Sequence, residues 1–360
     1  MNAAVCYTFG EPLTVEDVEI LPPQWGEVRV RFAATAICHS DLHYITGERE
    51  SPPPMVVGHE AAGTVEEIGP GVTMVRPGQR VVVSLIRSCG RCLHCIGGEP
   101  FLCTYPFALN SESRLRNSRG DALPDGGLWV SAFAEQGIVD QSQLVPLPDD
   151  VSLEAACLLA CGVITGVGAV VNTAQVRPGQ SVAVIGAGGV GLNAIQGAAI
   201  CGAYPIVAID TLPRKIEAAR AFGATHGVVA GDGDVVEAVR SVTRGDGAEV
   251  VVVTTGAPEA VSMALDLVRR AGAVVLVGLP GPQVRVPLPV RRIVGSGVRI
   301  FGSPMGSTRL QEDVPWLIDL YRAGRLKLDE LITGRYQLAD INEAIAGVRR
   351  GEALRNVIVF

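Results

Sequence analysis

Seven residues near the N-terminus, Ile37-Cys38-His39-Ser40-Asp41-Leu42-His43, combine a thiol, a hydroxyl, a carboxylate and two imidazoles. Thiolate and imidazole are zinc ligands, and a hydroxyl beside a metal-bound oxygen suits proton transfer. Taken alone, the stretch reads equally well as a polar turn with one buried cysteine. Further on, Cys89-x-x-Cys92-x-x-Cys95 is followed eight residues later by Cys103. Four thiolates fill a tetrahedral zinc and leave no open position, so these cysteines predict a structural metal lobe at about 87–105. A common bacterial iron–sulfur run ends in C-x3-C-P. Here the last gap is seven residues and Thr104 follows, which favours zinc. Gly90, Gly97 and Gly98 let the loop wrap an ion, Arg87 and Arg91 are placed to offset its negative charge, and His94 is expected to be solvated. His59, in Gly58-His59-Glu60, reads on its own as a core histidine needing hydrogen-bond partners.

A second constellation lies mid-chain. Ser181-Val182-Ala183-Val184-Ile185 reads as a buried strand and Gly186-Ala187-Gly188-Gly189-Val190-Gly191 as the opening of a helix. A second strand, Ile206-Val207-Ala208-Ile209, ends in Asp210. A bare G-x-G-x-x-G carries little weight, but strand, turn, helix and a following acid together make a dinucleotide fingerprint. The glycines permit a tight turn and close backbone approach, and the helix N-terminus faces a pyrophosphate. Asp210 is placed to accept from ribose hydroxyls and to repel a 2′-phosphate, so NAD is expected over NADP, a preference that Arg214 and Lys215 soften. Open α/β sheets bind ligands beyond the carboxyl ends of their strands, which puts Val277 near the coenzyme.

These groups need elements to hold them. At 360 residues and 48% hydrophobic, the chain is long enough for two domains with sizeable cores. A net charge of -7 without a basic run argues against nucleic acid and an anionic membrane as partners. The N-terminus lacks the pattern of a secretory signal. Residues 178–209 carry no charge, but glycines and Pro205 interrupt them, so a buried strand–turn–helix–strand is expected and not a membrane span. Nine cysteines in such a chain point to reduced thiols and metal, and to the cytoplasm. Residues 1–36 read as short strands, and 104–130 as a polar surface loop. Helices are expected at 153–159 and 164–172, then βα units with strands at 250–254 and 274–278 around a helix at 259–269. Helices at 313–321, with Trp316 and Leu317 in the core, and 341–348 precede a last strand at 357–360.

In this order the features resemble the zinc-dependent medium-chain alcohol dehydrogenases over nearly the whole chain. The likeness rests on Cys38-His39-Ser40-Asp41-x-His43, Gly58-His59-Glu60, the four-cysteine lobe, Cys161-Gly162-x-x-Thr165-Gly166, Gly186 to Gly191, and Asp210. It implies an α/β fold: a GroES-like β-rich catalytic domain (1–162 with 305–360) and a Rossmann doubly wound NAD-binding domain (163–304). It implies two zinc ions per chain: a catalytic one on Cys38, His59 and Cys161, with Glu60 nearby, and a structural one on Cys89, Cys92, Cys95 and Cys103. Asp41 matches the carboxylate that orients His59. Ser40 would take the proton as a zinc alkoxide forms and pass it, through the nicotinamide ribose, to His43. Thr165 and Val190 match residues that hold the nicotinamide, His39 and Arg355 pyrophosphate contacts, and Lys215 an adenosine-ribose contact. Leu85 and Arg49 depart from the family's substrate wall. The implied activity is reversible NAD-dependent oxidation of a primary or secondary alcohol by a homodimer or homotetramer. The alternatives are a thiol-dependent formaldehyde dehydrogenase, with glutathione or mycothiol, and a non-catalytic zinc-stabilised binding protein.

Overall fold

Alternation of apolar and charged residues makes Glu27–Ala36 a half-buried strand: Val28, Val30 and Phe32 turn inward, while Arg29 and Arg31 pair with Glu67 and Glu66 on the next strand. In the computed structural model, which describes residues 1–49 and 51–360, this strand is the spine of the first of two units. That unit comprises Met1–Cys161 and Arg309–Phe360, and the second is Gly162–Thr308.

The first unit is built on a seven-stranded sheet. Its main path runs Ile332–Tyr336, Arg355–Val359, Glu27–Ala36, Glu60–Ile68, Arg80–Val83 and Leu144–Pro146, with Gln136–Asp140 also on the spine strand. One core packs Val28, Val30, Phe32, Val65, Val81, Val83 and Leu144. Each such side chain contributes roughly 1.5–3 kcal/mol by leaving water. A second core joins Met55, Val57, Leu123 and Phe133 to Ile341, Ala344 and Ile345 of the helix Ile341–Arg349, so the C-terminal tail belongs to this unit. Register then sets the site. Ala36, two residues before Cys38, faces Glu60 on one side and Val357 on the other.

The second unit is a six-stranded parallel sheet in the order His226–Val229, Ile206–Asp210, Val182–Ile185, Ala248–Val253, Val268–Leu276, Arg299–Gly302. The central strands are unbroken apolar runs because helices cover both faces of such a sheet. Chain order reverses at Val182–Ile185, the switch point where doubly wound folds bind ligands. The glycines of Gly162–Gly168 allow tight helix packing: a Cβ on Gly166 would lie 2.3 Å from the Val190 carbonyl oxygen.

Several elements differ from expectation. The helix expected at 259–269 is Pro258–Leu267, and the strand expected to begin at 274 begins at Val268. Ala271 at φ 55° and a register shift beside Ala248 make that strand start irregular, which a periodicity reading does not find. The helix at 153–159 is α only over Leu153–Ala156 and 3-10 over Cys157–Ala160. The helix at 164–172 is Gly162–Gly168 followed by a π turn, Ala169–Thr173. The segment 104–130 is not a surface loop throughout. Leu115, Leu123, Leu128 and Val130 are buried, Leu115–Arg116 pairs with Glu19–Ile20, and Arg114 forks onto Glu27 at 2.7 and 2.8 Å. Leu317 is core, but Trp316 is 38% exposed on the helix Leu310–Arg322. Among the described residues no single helix is long and apolar enough to cross a membrane.

Candidate active site and coenzyme site

Three segments of the first unit converge on one point. The spine strand ends at Ala36 and releases Cys38, which caps the short helix His39–Ile45. His59 immediately precedes the strand Glu60–Ile68. Cys161 ends the 3-10 turn Cys157–Ala160, held where the Ser84 hydroxyl donates to the Ala160 carbonyl at 2.6 Å. Ligand atoms of Cys38, His59, Glu60 and Cys161 all lie within 4.8 Å of one another, and all four residues are buried.

Asp41 ties this point together. It is fully buried, and its Oδ2 accepts from the Cys38 amide at 2.9 Å. Its Oδ1 accepts from the Gly58 amide at 3.1 Å and lies 2.8 Å from His59 Nδ1. Gly58 sits at φ +95°, and a Cβ there would strike Phe133, so only glycine presents this amide. With Nδ1 committed to Asp41, His59 Nε2 is the ring atom left for a ligand. Nε2 is buried and has no hydrogen-bond partner in the protein. Two sulfurs and an orphaned imidazole nitrogen fit a zinc ion, leaving the fourth position to substrate or to Glu60, whose buried Oε1 also has no hydrogen-bond partner.

The two thiols share one charge: contact with Cys38 and burial hold Cys161 well above its ordinary value. A hydrogen bond from Cys161 draws the Cys38 thiol well below its ordinary value, against burial and with help from His59 and Arg355. Burial pushes the Glu60 carboxyl up to about 7 despite the facing Arg355 guanidinium. Glu60 and Arg355 form a buried ion pair, delivered by the Glu60–Ala36–Val357 row of the sheet. Of the other residues singled out here, His39 is exposed, and Ser40 and His43 are half-buried on the same helix. The Ser40 hydroxyl lies 3.9 Å from Cys38 Sγ. His43 Nδ1 lies 2.7 Å from Glu48 Oε2, a partner that the motif reading passed over although an acid follows closely across the Gly47 turn.

The four-cysteine lobe closes on itself. Sulfurs of Cys89, Cys92, Cys95 and Cys103 lie within 4.8 Å of one another around the short helix Leu93–Ile96. Backbone amides point at the sulfurs: Cys92 N donates to Cys89 Sγ and Cys89 N to Cys103 Sγ, each at 3.3 Å. Amides of Cys95 and Thr104 pull Cys92 down to about 6 and the Arg91 amide lowers Cys89, while burial raises Cys95 and pushes Cys103 up to about 12. Arg91 stacks 4.7 Å over Tyr105. Arg87 does not serve the lobe as a counter-charge. It is buried, bonded to Gln143 Oε1 at 2.9 Å and the Trp129 carbonyl at 3.2 Å, and stacked on the Trp129 ring. His94 pairs with Glu99 at 3.3 Å.

In the second unit, the turn after Val182–Ile185 has the geometry of a phosphate cradle. Gly186 is at φ +94°, a Cβ on Gly191 would meet the Gly186 oxygen at 1.8 Å, and Gly188 has open space in front of it. Gly188 caps the helix Gly189–Ile200, whose first turn carries Val190. Asp210 closes Ile206–Asp210, and its oxygens accept from Ala187 N at 2.7 Å and Leu212 N at 3.0 Å. Each oxygen keeps a second lone pair for a ribose hydroxyl. Val277 stands just past the carboxyl end of Val268–Leu276. Thr165 is buried, its hydroxyl 3.8 Å from Met305 Sδ, and Lys215 is half-buried on the helix Pro213–Ala221.

Residues 24–149 match the family model of the alcohol dehydrogenase GroES-like domain, and 189–323 match that of the zinc-binding dehydrogenase. An NDMA-dependent alcohol dehydrogenase of Amycolatopsis methanolica is 36% identical over 99% of this chain and 98% of its own length. This chain belongs to the medium-chain zinc alcohol dehydrogenases. A geraniol dehydrogenase of Castellaniella defragrans is 37% identical over 100% of the chain and 97% of its own length. The crystal structure of a benzyl alcohol dehydrogenase from Acinetobacter calcoaceticus superposes with a TM-score of 0.93 at 32% identity, covering 100% of this chain and 99% of that one. A zinc alcohol dehydrogenase is therefore an enzyme on a GroES-like plus Rossmann framework, and both frameworks are present here.

Proposed function

We propose that the protein is an NAD-dependent oxidoreductase of primary or secondary alcohols, with Cys38, His59 and Cys161 holding a catalytic zinc and Cys89, Cys92, Cys95 and Cys103 a structural one. The observation that carries the reading is the buried, partnerless Nε2 of His59, fixed by Asp41 between two thiols. When bound, the zinc supplies a Lewis acid that acidifies the alcohol hydroxyl, and the nicotinamide supplies the hydride acceptor.

The chain's own residues then have these tasks. Asp41 keeps Nδ1 of His59 protonated and its Nε2 a donor to metal. Ser40 accepts the hydroxyl proton, and His43, three residues on and on the same face of the helix, carries it toward solvent. Glu60 and Arg355 balance each other's charge beside the thiols. In the second unit Gly186 to Gly191 would hold pyrophosphate with backbone amides, Asp210 and Lys215 would take the adenosine ribose, and Thr165, Val190 and Val277 would hold the nicotinamide. Asp210 supports NAD over NADP.

Leu85, partly buried and aliphatic where the family often has an aromatic residue, and the geraniol and benzyl alcohol named for the two relatives support a substrate with a bulky apolar group. The open edge strand Arg299–Gly302, with Ile300 36% exposed, supports a homodimer through the second unit, which size-exclusion chromatography with light scattering checks. Nine cysteines free of disulfides among the described residues support a reducing, cytoplasmic location.

The deciding assay follows NAD reduction with aliphatic, aromatic and terpenoid alcohols, and with formaldehyde in the presence and absence of glutathione or mycothiol. Turnover of free alcohols is expected. Turnover only of formaldehyde with thiol would move the protein to the thiol-dependent activity.

A further inference from the structure

The helix His39–Ile45 ends at Thr46, and Gly47 at φ +78° turns the chain back. The turn is pinned by two backbone bonds onto His43: its carbonyl oxygen accepts from Glu48 N at 2.9 Å and from Arg49 N at 3.2 Å. The turn delivers the Glu48 carboxylate to the imidazole it has just passed. Glu48 Oε2 lies 2.7 Å from His43 Nδ1, and Glu48 Oε1 accepts from the Thr46 hydroxyl at 3.0 Å. Both carboxylate oxygens thus have a neighbour to bond, the single Thr46 hydroxyl proton being shared between Glu48 Oε1 and the Leu42 carbonyl oxygen 2.9 Å away. The carboxylate is held toward the ring by a hydroxyl and a main-chain turn, not left as one rotamer of a free surface acid.

Resting on the reading of His43 as the outer end of the proton path, we propose that Glu48 is a positioning residue that sets the tautomer of His43. Its carboxylate accepts from Nδ1–H, which makes Nε2 the ring atom with the free lone pair. A proton arriving at Nε2 converts the ring to imidazolium beside a carboxylate, and release of that proton to water restores the starting tautomer. No electrons move in this step, and Glu48 remains ionised throughout. The His43 hydrogen bond is also the leading cause that holds the Glu48 carboxyl below its usual value, with Thr46 next and Arg49 a minor contributor. The arrangement repeats at the surface what Asp41 does for His59 in the core: a carboxylate fixes one ring nitrogen so that the other can work.

His43 and Glu48 side chains are 34% and 52% exposed, so the pair is solvent-screened. The test compares zinc-loaded wild type with Glu48→Ala, using nitrogen-15 NMR of the histidine rings and His43→Gln to assign the signal. Neutral wild-type His43 should be the Nδ1–H tautomer. In the variant both tautomers should be populated and kcat should fall. The fall in kcat should vanish when Glu48→Ala is placed in a His43→Gln background. An unchanged His43 tautomer in Glu48→Ala would overturn the proposal, as would a kcat effect that survives in the double variant. If His43→Gln alone leaves kcat intact, the proton-path reading falls instead, and the NMR still reports whether Glu48 governs the ring.

Discussion

Replacing Asp41 with Asn tests the site at its centre without changing its shape. The carboxylate makes three contacts, at 2.8, 2.9 and 3.1 Å, to His59, the Cys38 amide and the Gly58 amide. An Asn carbonyl can keep His59 and Gly58, which share Oδ1, but its NH2 must then face the Cys38 N–H. One charge-assisted bond, worth about 1.5–3 kcal/mol, becomes a donor–donor contact in a fully buried setting. Partners of metal-binding histidines typically control affinity by about 10–100-fold, or roughly 1.4–2.8 kcal/mol. The two figures agree in size because the bond lost is the one that orients the Cys38 ligand. The assay dialyses wild type and Asp41→Asn against graded chelator buffers and counts zinc per chain by mass spectrometry. Wild type should release zinc in two steps. In the variant one step should move by 10–100-fold, while the step due to Cys89, Cys92, Cys95 and Cys103 stays in place, since no Asp41 contact reaches those residues. Two unmoved steps would refute the argument that Asp41 organises the site.

Three further outcomes are expected. Cys95→Ala opens the only four-sulfur lobe among the described residues, so it should lower the thermal unfolding midpoint and leave turnover per folded molecule nearly intact; an unchanged midpoint would mean that the lobe holds no structural ion. Gly166→Ala places a methyl 2.3 Å from the Val190 oxygen and 2.7 Å from the Ala194 amide. Backbone cannot yield cheaply, so urea unfolding should show a loss of about 1–3 kcal/mol, with weaker NAD binding as Gly189–Ile200 is displaced. Glu249 is pushed up by burial, but the Ser181 amide and hydroxyl and Arg269 outweigh this and hold it below its usual 4.5. A depressed carboxyl stabilises the fold above its unfolded value and loses that contribution as pH falls through its folded value. Glu249→Gln should therefore be less stable than wild type at neutral pH, with the gap in urea midpoint closing in acid; a gap independent of pH would assign the loss to packing.

The chemistry was far more legible than the chain's path. The four-cysteine run has a kind and spacing that state what it can hold, and the strand–glycine turn–helix around Gly186 carries its own geometry, whereas Cys38 and His59 stood out as a ligand pair only through the family resemblance. What could not be read were features that depend on partners far away in sequence. Arg87 looks like a lobe cation by position, yet Gln143 and Trp129 capture it from residues more than 40 positions away. The segment 104–130 is polar enough to read as surface, but the Arg114–Glu27 fork, across 87 positions, and the pairing of Leu115–Arg116 with Glu19–Ile20 hold it inward. The strand Val268–Leu276 begins early because a parallel neighbour accepts it, not because its own periodicity announces it.

The same distinction explains how a short motif becomes a site. Cys38 and His59 are 21 positions apart, and Cys161 lies a further 102 along, so no local rule brings the three together. Sheet register does. Ala36 opposite Glu60 fixes the separation of Cys38 from His59 to within the reach of one Asp41 carboxylate. Ala61 opposite Val83 then places Ser84, which captures the carbonyl before Cys161. A one-residue slip in either pairing would turn alternate side chains to the opposite face and scatter Cys38, His59 and Cys161. The apolar faces that forbid such slips, Val28, Val30, Phe32, Val65, Val81 and Val83, therefore protect the candidate site as well as the fold. The buried hydrophobic pattern of the strands and the polar motif at their ends are two halves of one specification, and either alone would leave the chemistry unassembled.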